Sequence, residues 1–171
     1  MKQLLWLVAS VTLIVAPCAT QAAMTPMAAS TYGAGPHGYD WALGAWSCRN
    51  ALPSPMGGPS KQTLNVTRAN GGAIMYHATG EGFDNTWYTA YVPSSKSWVS
   101  PFIVANGTYG SESTSQTGRK IVWLGTAYDA SGKSVRVRDT YAIGNGKYGD
   151  LGEYMSGGTW KTQYTVTCMK G

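Results

Sequence analysis

The sequence is poor in the residues that enzymes most often use to carry protons or hold metals: it has two histidines and three cysteines in 171 residues. His37 lies in a small, polar stretch. His77 alternates with Met75 and Thr79, opposite Ile74, Tyr76 and Ala78, and is therefore expected to face water. A Ser-His-Asp or Cys-His constellation thus lacks a positioned base. Two cysteines without a neighbouring histidine supply only half of a tetrahedral metal-ligand set. Clustered charge is also missing. The formal charge is +5, but the basic residues are scattered singly and only Arg119 and Lys120 are adjacent. A nucleic-acid surface needs such charges gathered on one face, so no nucleic-acid partner is expected and the charge serves solubility. No sustained 3.6-residue apolar period is present, which leaves room for one short helical turn around residues 39–43 and no long helix. The apolar run over residues 4–15 is too short to span a bilayer.

That run has another use. Lys2, the apolar stretch behind it and the small residues near Ala22 follow the plan of a secretory signal peptide over residues 1–22. Val15-Ala16-Pro17-Cys18 also resembles a lipobox, which would make Cys18 a lipidated anchor. Pro17 directly before the cysteine departs from that pattern, so the cleaved signal is preferred. Residues 23–38, small, polar and broken by Pro26 and Pro36, read as a flexible tether. The domain proper is expected over 39–171, with export to an oxidising compartment, a bacterial periplasm.

From Tyr39 onward every local signal is β. Turn chemistry recurs at roughly ten- to fourteen-residue intervals, the rhythm of a meander of hairpins. It is seen at Asn70-Gly71-Gly72, Pro93-Ser94-Ser95-Lys96, Asn145-Gly146 and Gly157-Gly158. The intervening segments are rich in Val, Thr, Tyr and Trp. About ten strands are predicted, over 43–49, 61–69, 73–80, 86–92, 97–104, 107–115, 120–128, 134–143, 147–155 and 159–169. In the eighth, Val135, Val137, Asp139, Tyr141 and Ile143 share one face, against Arg136, Arg138 and Thr140. In the tenth, Trp160, Thr162, Tyr164, Val166 and Cys168 share a face, and in the first Trp46 and Cys48 do.

An antiparallel meander has two edges to hide, and closing the sheet removes both. The predicted fold is therefore all-β, a closed up-and-down antiparallel barrel in which the first and last strands are neighbours. Once a signal is removed, Cys48 and Cys168 remain, one on each of those strands. An even pair in an oxidising compartment points to a disulfide, with two buried free thiols as the alternative. Closing so long a loop is worth on the order of 4–5 kcal/mol in the loop-entropy picture.

Leu43-Gly44-Ala45-Trp46 fits the Gly-x-Trp of the first strand of lipocalin-like (calycin) barrels. Further along stand Pro55-Met56-Gly57-Gly58-Pro59, Asn70-Gly71-Gly72, the hairpin over 91–98, Gly107-Thr108-Tyr109-Gly110 and Val135-Arg136-Val137-Arg138-Asp139. In that order and spacing the chain resembles a bacterial family of small secreted calycin-type barrels of unknown function, over about residues 40–170. The resemblance implies fold; it carries no catalytic residues with it. Some barrels of this kind carry haem through a histidine. Only His77 could serve, and alternation turns it outward, so no cofactor is expected.

For chemistry, Asp84, Asp129 and Asp150 lie in or near predicted turns, where short acidic side chains are ordinary. Glu81 and Asp84 flank one loop, while Asp150 and Glu153 fall on opposite faces of one strand, so no pair of facing carboxylates stands out as a glycosidase needs. Asp139 is the exception. Strict alternation turns it inward, where a carboxylate must find a donor or raise its pKa; a local bulge would turn it outward beside Arg138. Only two phenylalanines accompany 11 tyrosines and 7 tryptophans. Aromatic bodies with polar tips suit a cavity for a partly apolar ligand, and ten strands enclose more space than eight. Candidate lining residues are Trp46, Tyr76, Tyr141, Trp160 and Tyr164, with Asp139 as a polar contact. Three functions follow in order: non-covalent binding of a small apolar or aromatic molecule, an envelope module with a filled barrel, and a hydrolase-like enzyme using Asp139. A membrane-spanning barrel is disfavoured by Arg136, Arg138, Lys161 and Gln163 on outward faces.

Overall fold

The computed structural model describes residues 33, 35–54, 56–104 and 106–171. The expected signal peptide, Cys18 and most of the expected tether lie outside the described residues. Ten strands are present among those described: β1 (Gly44–Asn50), β2 (Lys61–Arg68), β3 (Ile74–Gly80), β4 (Phe83–Val92), β5 (Ser97–Ile103), β6 (Tyr109–Thr114), β7 (Lys120–Tyr128), β8 (Ser134–Gly144), β9 (Lys147–Ser156) and β10 (Thr159–Lys170). Each pairs antiparallel with its neighbours in sequence, and β10 returns to β1, closing an up-and-down barrel. The predicted boundaries hold within a residue or two except for β4, which starts at Phe83 rather than residue 86. A two-residue turn, with Gly82 in the left-handed region (φ 63°), is enough to reverse the chain. Asp84 and Asn85 are thereby freed to pair with Thr79 and Ala78. The last hairpin shows the same economy: Gly157 and Gly158 both have positive φ (57° and 78°), the backbone of a two-residue turn whose twist matches the strands.

At the seam, Cys48 lies directly opposite Cys168 in the β1–β10 register. The two are joined by a disulfide across a sequence separation of 120 residues. The bond therefore fastens the strand pair that closes the barrel and has no short turn to hold it together.

The barrel has one plugged end. Gly35–His37 and Asp40–Ala42 form single 3-10 turns beneath it. Between them Tyr39 is fully buried, its ring 4.8 Å from Trp98 and 5.4 Å from Trp123. The Trp46 indole N–H donates to the Ala42 carbonyl (2.7 Å), and Trp46 packs edge-on against Tyr148 (5.1 Å). Outside the plug, Asp40 takes His37 at 2.8 Å and pairs with Arg68 of β2. The short helical turn expected near Tyr39 is thus present. It begins earlier than the sequence suggests: residues 35–38, expected as tether, are folded onto the barrel base, with the Gly38 N–H donating to the Gly35 carbonyl (3.1 Å). At the other end, the loop between β1 and β2 folds over the opening. Asn50, buried at the end of β1, donates through Nδ2 to the carbonyls of Gly57 (2.9 Å) and Gly58 (3.1 Å).

Candidate functional site

Between plug and loop the barrel encloses a cavity of about 120 Å³. Its apolar walls are mainly aromatic. Tyr76 of β3 and Trp87 of β4 stack in parallel, 5.1 Å apart. Tyr141 of β8 and Tyr148 of β9 meet Trp41 from the plug, at 6.4 and 5.4 Å. The Cys48–Cys168 bridge forms part of the wall.

Four acidic residues border this cavity. Glu153 is paired with Arg138, which leaves Glu112 from β6, Asp139 from β8 and Asp150 from β9 without a basic partner. Two strand glycines let them approach one another. Gly125 of β7 sits opposite both Glu112 and Val137, and a Cβ there would come 2.7 Å from the Glu112 Cγ. Glu112 therefore leans across β7 towards β8. Gly152 of β9 sits between Asp139 and Tyr164 in one cross-strand row, and a Cβ there would meet the Tyr164 ring at 2.2 Å. Tyr164 consequently lies flat over β9, and its hydroxyl donates to the Asp139 carboxyl (2.7 Å). Glycine in a strand interior commonly marks such a close approach.

The electrostatics follow from burial. Desolvation pushes the Glu112 carboxyl up to about 10, with the neighbouring Asp139 charge acting the same way. Glu112 is thus protonated at neutral pH and donates to Asp139. Desolvation also raises Asp139, but the hydrogen bonds from Tyr164 and Glu112 favour its charged form and hold it to about 6. Asp150 is raised well above the ordinary carboxylate value, first by burial and then by the charges of Asp139 and Glu112. Tyr76, Tyr141, Tyr148 and Tyr164 are raised as well, chiefly by burial, and stay neutral hydrogen-bonding groups. No lysine, arginine or histidine is among the described residues that line the cavity. Among the described residues, no three His, Cys, Asp or Glu side chains converge closely enough to hold a metal ion.

Of the residues singled out in the sequence, Tyr76, Asp139, Tyr141 and Tyr164 do line the cavity. The register of β8 runs unbroken on both sides, so Asp139 keeps its inward parity and the outward bulge does not form. Trp46 is inside the barrel and buried, but it packs on the plug rather than on the cavity. Trp160 needs correction: it stands on the outer wall, with the Arg138 guanidinium 4.4 Å over its ring. Thr162 pairs with Glu153 and Tyr164 with Gly152, so Gln163 has no counterpart on β9. That bulge reverses the alternation for the first residues of the strand. Asp150, expected in turn chemistry, is instead an inward residue of β9, opposite Tyr141. Glu153 on the other face pairs with Arg138 (2.6 Å). His77 is outside as expected, its Nε2 3.0 Å from Asp84. Sequence reasoning missed Glu112 altogether; the one local signal beside it is a glycine in a strand interior, Gly125 of β7, which marks a close approach.

No protein-family model matches the sequence, and no curated protein is similar to it.

Proposed function

We propose that this protein binds a small, partly apolar molecule non-covalently inside the barrel, after export to an oxidising compartment such as the bacterial periplasm. The observation that carries the reading is the interior itself. Aromatic faces and hydrogen-bonding groups surround a cavity of about 120 Å³, where a purely structural barrel would place interlocking aliphatic side chains. Buried carboxyls cost stability, and a binding site is the usual reason to keep them. The disulfide suits an exported protein, and the calycin-like resemblance of the sequence fits the same picture. Native mass spectrometry of protein purified from its own host tests this reading: a small-molecule adduct lost on denaturation supports it. A bare protein mass that also persists after incubation with an extract of the host would favour the filled envelope module.

A second reading has one observation in its favour. Glu112 carries a proton beside an Asp139 that is ionised above about pH 6, and such a divided pair can serve as acid and base. It predicts turnover that disappears in a folded Asp139→Asn variant.

A further inference from the structure

Apart from Glu81 in the exposed β3–β4 turn, the carboxylates other than Glu112, Asp139 and Asp150 are matched by base or backbone. Glu153 meets Arg138, Asp40 meets Arg68 and His37, and Asp84 meets His77. Asp129 accepts from the backbone N–H groups of Ser131 and Lys133 within its own turn. The three interior carboxyls break this pattern, since the described lining holds no basic side chain. Two of them have protein donors: Asp139 accepts from Tyr164 and from Glu112. Asp150 differs. Its Oδ1 is fully buried and has no hydrogen-bond partner, and the residue lines the cavity. A buried carboxyl oxygen left without a hydrogen-bond partner is costly and rare. A donor carried by the occupant would complete it.

The placement of the acids narrows the kind of donor. Asp139 and Asp150 sit on adjacent strands, Asp139 opposite Gly152 and Asp150 opposite Tyr141, so they are diagonal neighbours on the inner face. Such positions are about 7–8 Å apart at the backbone, a gap one ammonium group fills by donating to both sides. The acids do not converge tightly enough for a metal ion. Around them stand the faces of Tyr76, Trp87, Tyr141 and Tyr148, surfaces that attract organic cations through the ring quadrupole.

We propose that the occupant of the barrel is a small organic amine with an apolar or aromatic body, its ammonium held between Asp139 and Asp150 and its body against the Tyr76–Trp87 stack. This rests on the reading that the cavity binds a ligand at all. The amine supplies the missing positive charge and the donor that Asp150 lacks, while Glu112 and Tyr164 orient Asp139.

Calorimetric titration of the mature protein with three probes of one shape tests it: benzylamine, benzyl alcohol and benzoate at pH 7.5. The amine is expected to bind about tenfold or more tighter than the alcohol, as a charge-assisted bond does over a neutral one, and benzoate more weakly than either. Asp150→Asn should bring the amine down to the alcohol's affinity and leave the alcohol unchanged. A second measurement needs no variant: benzylamine affinity of the unaltered protein should fall between pH 7.5 and 5. Asp139 takes up its proton over that range, facing Glu112 of β6, Asp150 of β9, Tyr164 of β10 and Tyr141 of its own strand, with Glu153 on the far face of β9. Equal or tighter binding of the alcohol or of benzoate overturns the amine and leaves cavity binding standing. Failure of all three probes to bind overturns both.

Discussion

The interior carboxyls make this barrel unusual in its response to pH, and Glu112→Gln puts that to a quantitative test. Glu112 is 8 % exposed, and burial lifts it from 4.5 to about 10. A carboxyl whose pKa rises on folding binds its proton more tightly in the folded state. The folded state therefore loses ground as pH climbs above the unfolded value, until the folded value is passed. For Glu112 this window runs from about pH 4.5 upward through the whole neutral range. Asp139, raised from 3.8 to about 6, adds to the same slope only up to pH 6. At ~1.4 kcal/mol per pH unit, Glu112 alone would lower stability by ~3 kcal/mol between pH 4.5 and 7. Asp139 adds to this loss below about pH 6, so ~3 kcal/mol is the smaller bound for the pair. In a domain of this size ~3 kcal/mol corresponds to roughly 10 °C in Tm. Asp129 does not interfere, since the hydrogen bonds of its turn hold it below 3.8 and below this window. Urea unfolding at steps from pH 4.5 to 8, with ligand-free protein, should show the midpoint falling as pH rises. Glu112→Gln keeps the side-chain bulk and an N–H donor towards Asp139. It should make the slope shallower, with Asp139 and Asp150 sustaining the remainder, and stabilise the protein at pH 7.5 by ~2–3 kcal/mol. Stability that rises over this range, as it does in proteins whose carboxylates are salt-bridged, would refute the reasoning. So would a Glu112→Gln variant that is less stable at pH 7.5 with its slope unchanged.

The remaining expectations concern the seam and the outer wall. Replacing Cys48 and Cys168 together by alanine should lower the unfolding free energy by ~3–5 kcal/mol, mostly through the freed 120-residue separation in the unfolded chain. Alkylation of the unreduced protein, followed by mass spectrometry, should label neither position; labelling of both would remove the staple from the account. Trp160→Ala should cost under ~1 kcal/mol and leave benzylamine binding unchanged, because its main partners are the outer guanidinium groups of Arg136 and Arg138. A loss of binding in that variant would return Trp160 to the interior.

Much of the architecture could be read without coordinates because its causes are local. Turn residues recur at hairpin spacing, β-branched and aromatic residues fill the gaps, and an even number of strands joined by short turns brings the two ends of the sheet side by side. Cys48 and Cys168 could be paired from this logic, and Tyr76, Asp139, Tyr141 and Tyr164 could be turned inward by counting from an apolar neighbour. Counting fails where its premise fails. In β10 the single unmatched residue at Gln163 resets the alternation, so Trp160 ends on the outer face although its spacing from Cys168 says otherwise. In β6, Tyr-Gly-Ser-Glu-Ser-Thr has no apolar stripe to say which side is inside. Only its pairing with Gly125 of β7 turns Glu112 inward. Asp150 falls in the predicted ninth strand close to the Asn145-Gly146 turn, and only its register opposite Tyr141 of β8 turns it inward. The sequence by itself determined the strands, their order and the closing bond, since these depend on near neighbours and on chain connectivity. Beyond Asp139, the acidic character of the cavity was decided by the tertiary structure. It depends on register between strands and on two glycines that let side chains lean across a neighbouring strand, and neither leaves a periodic trace along the chain.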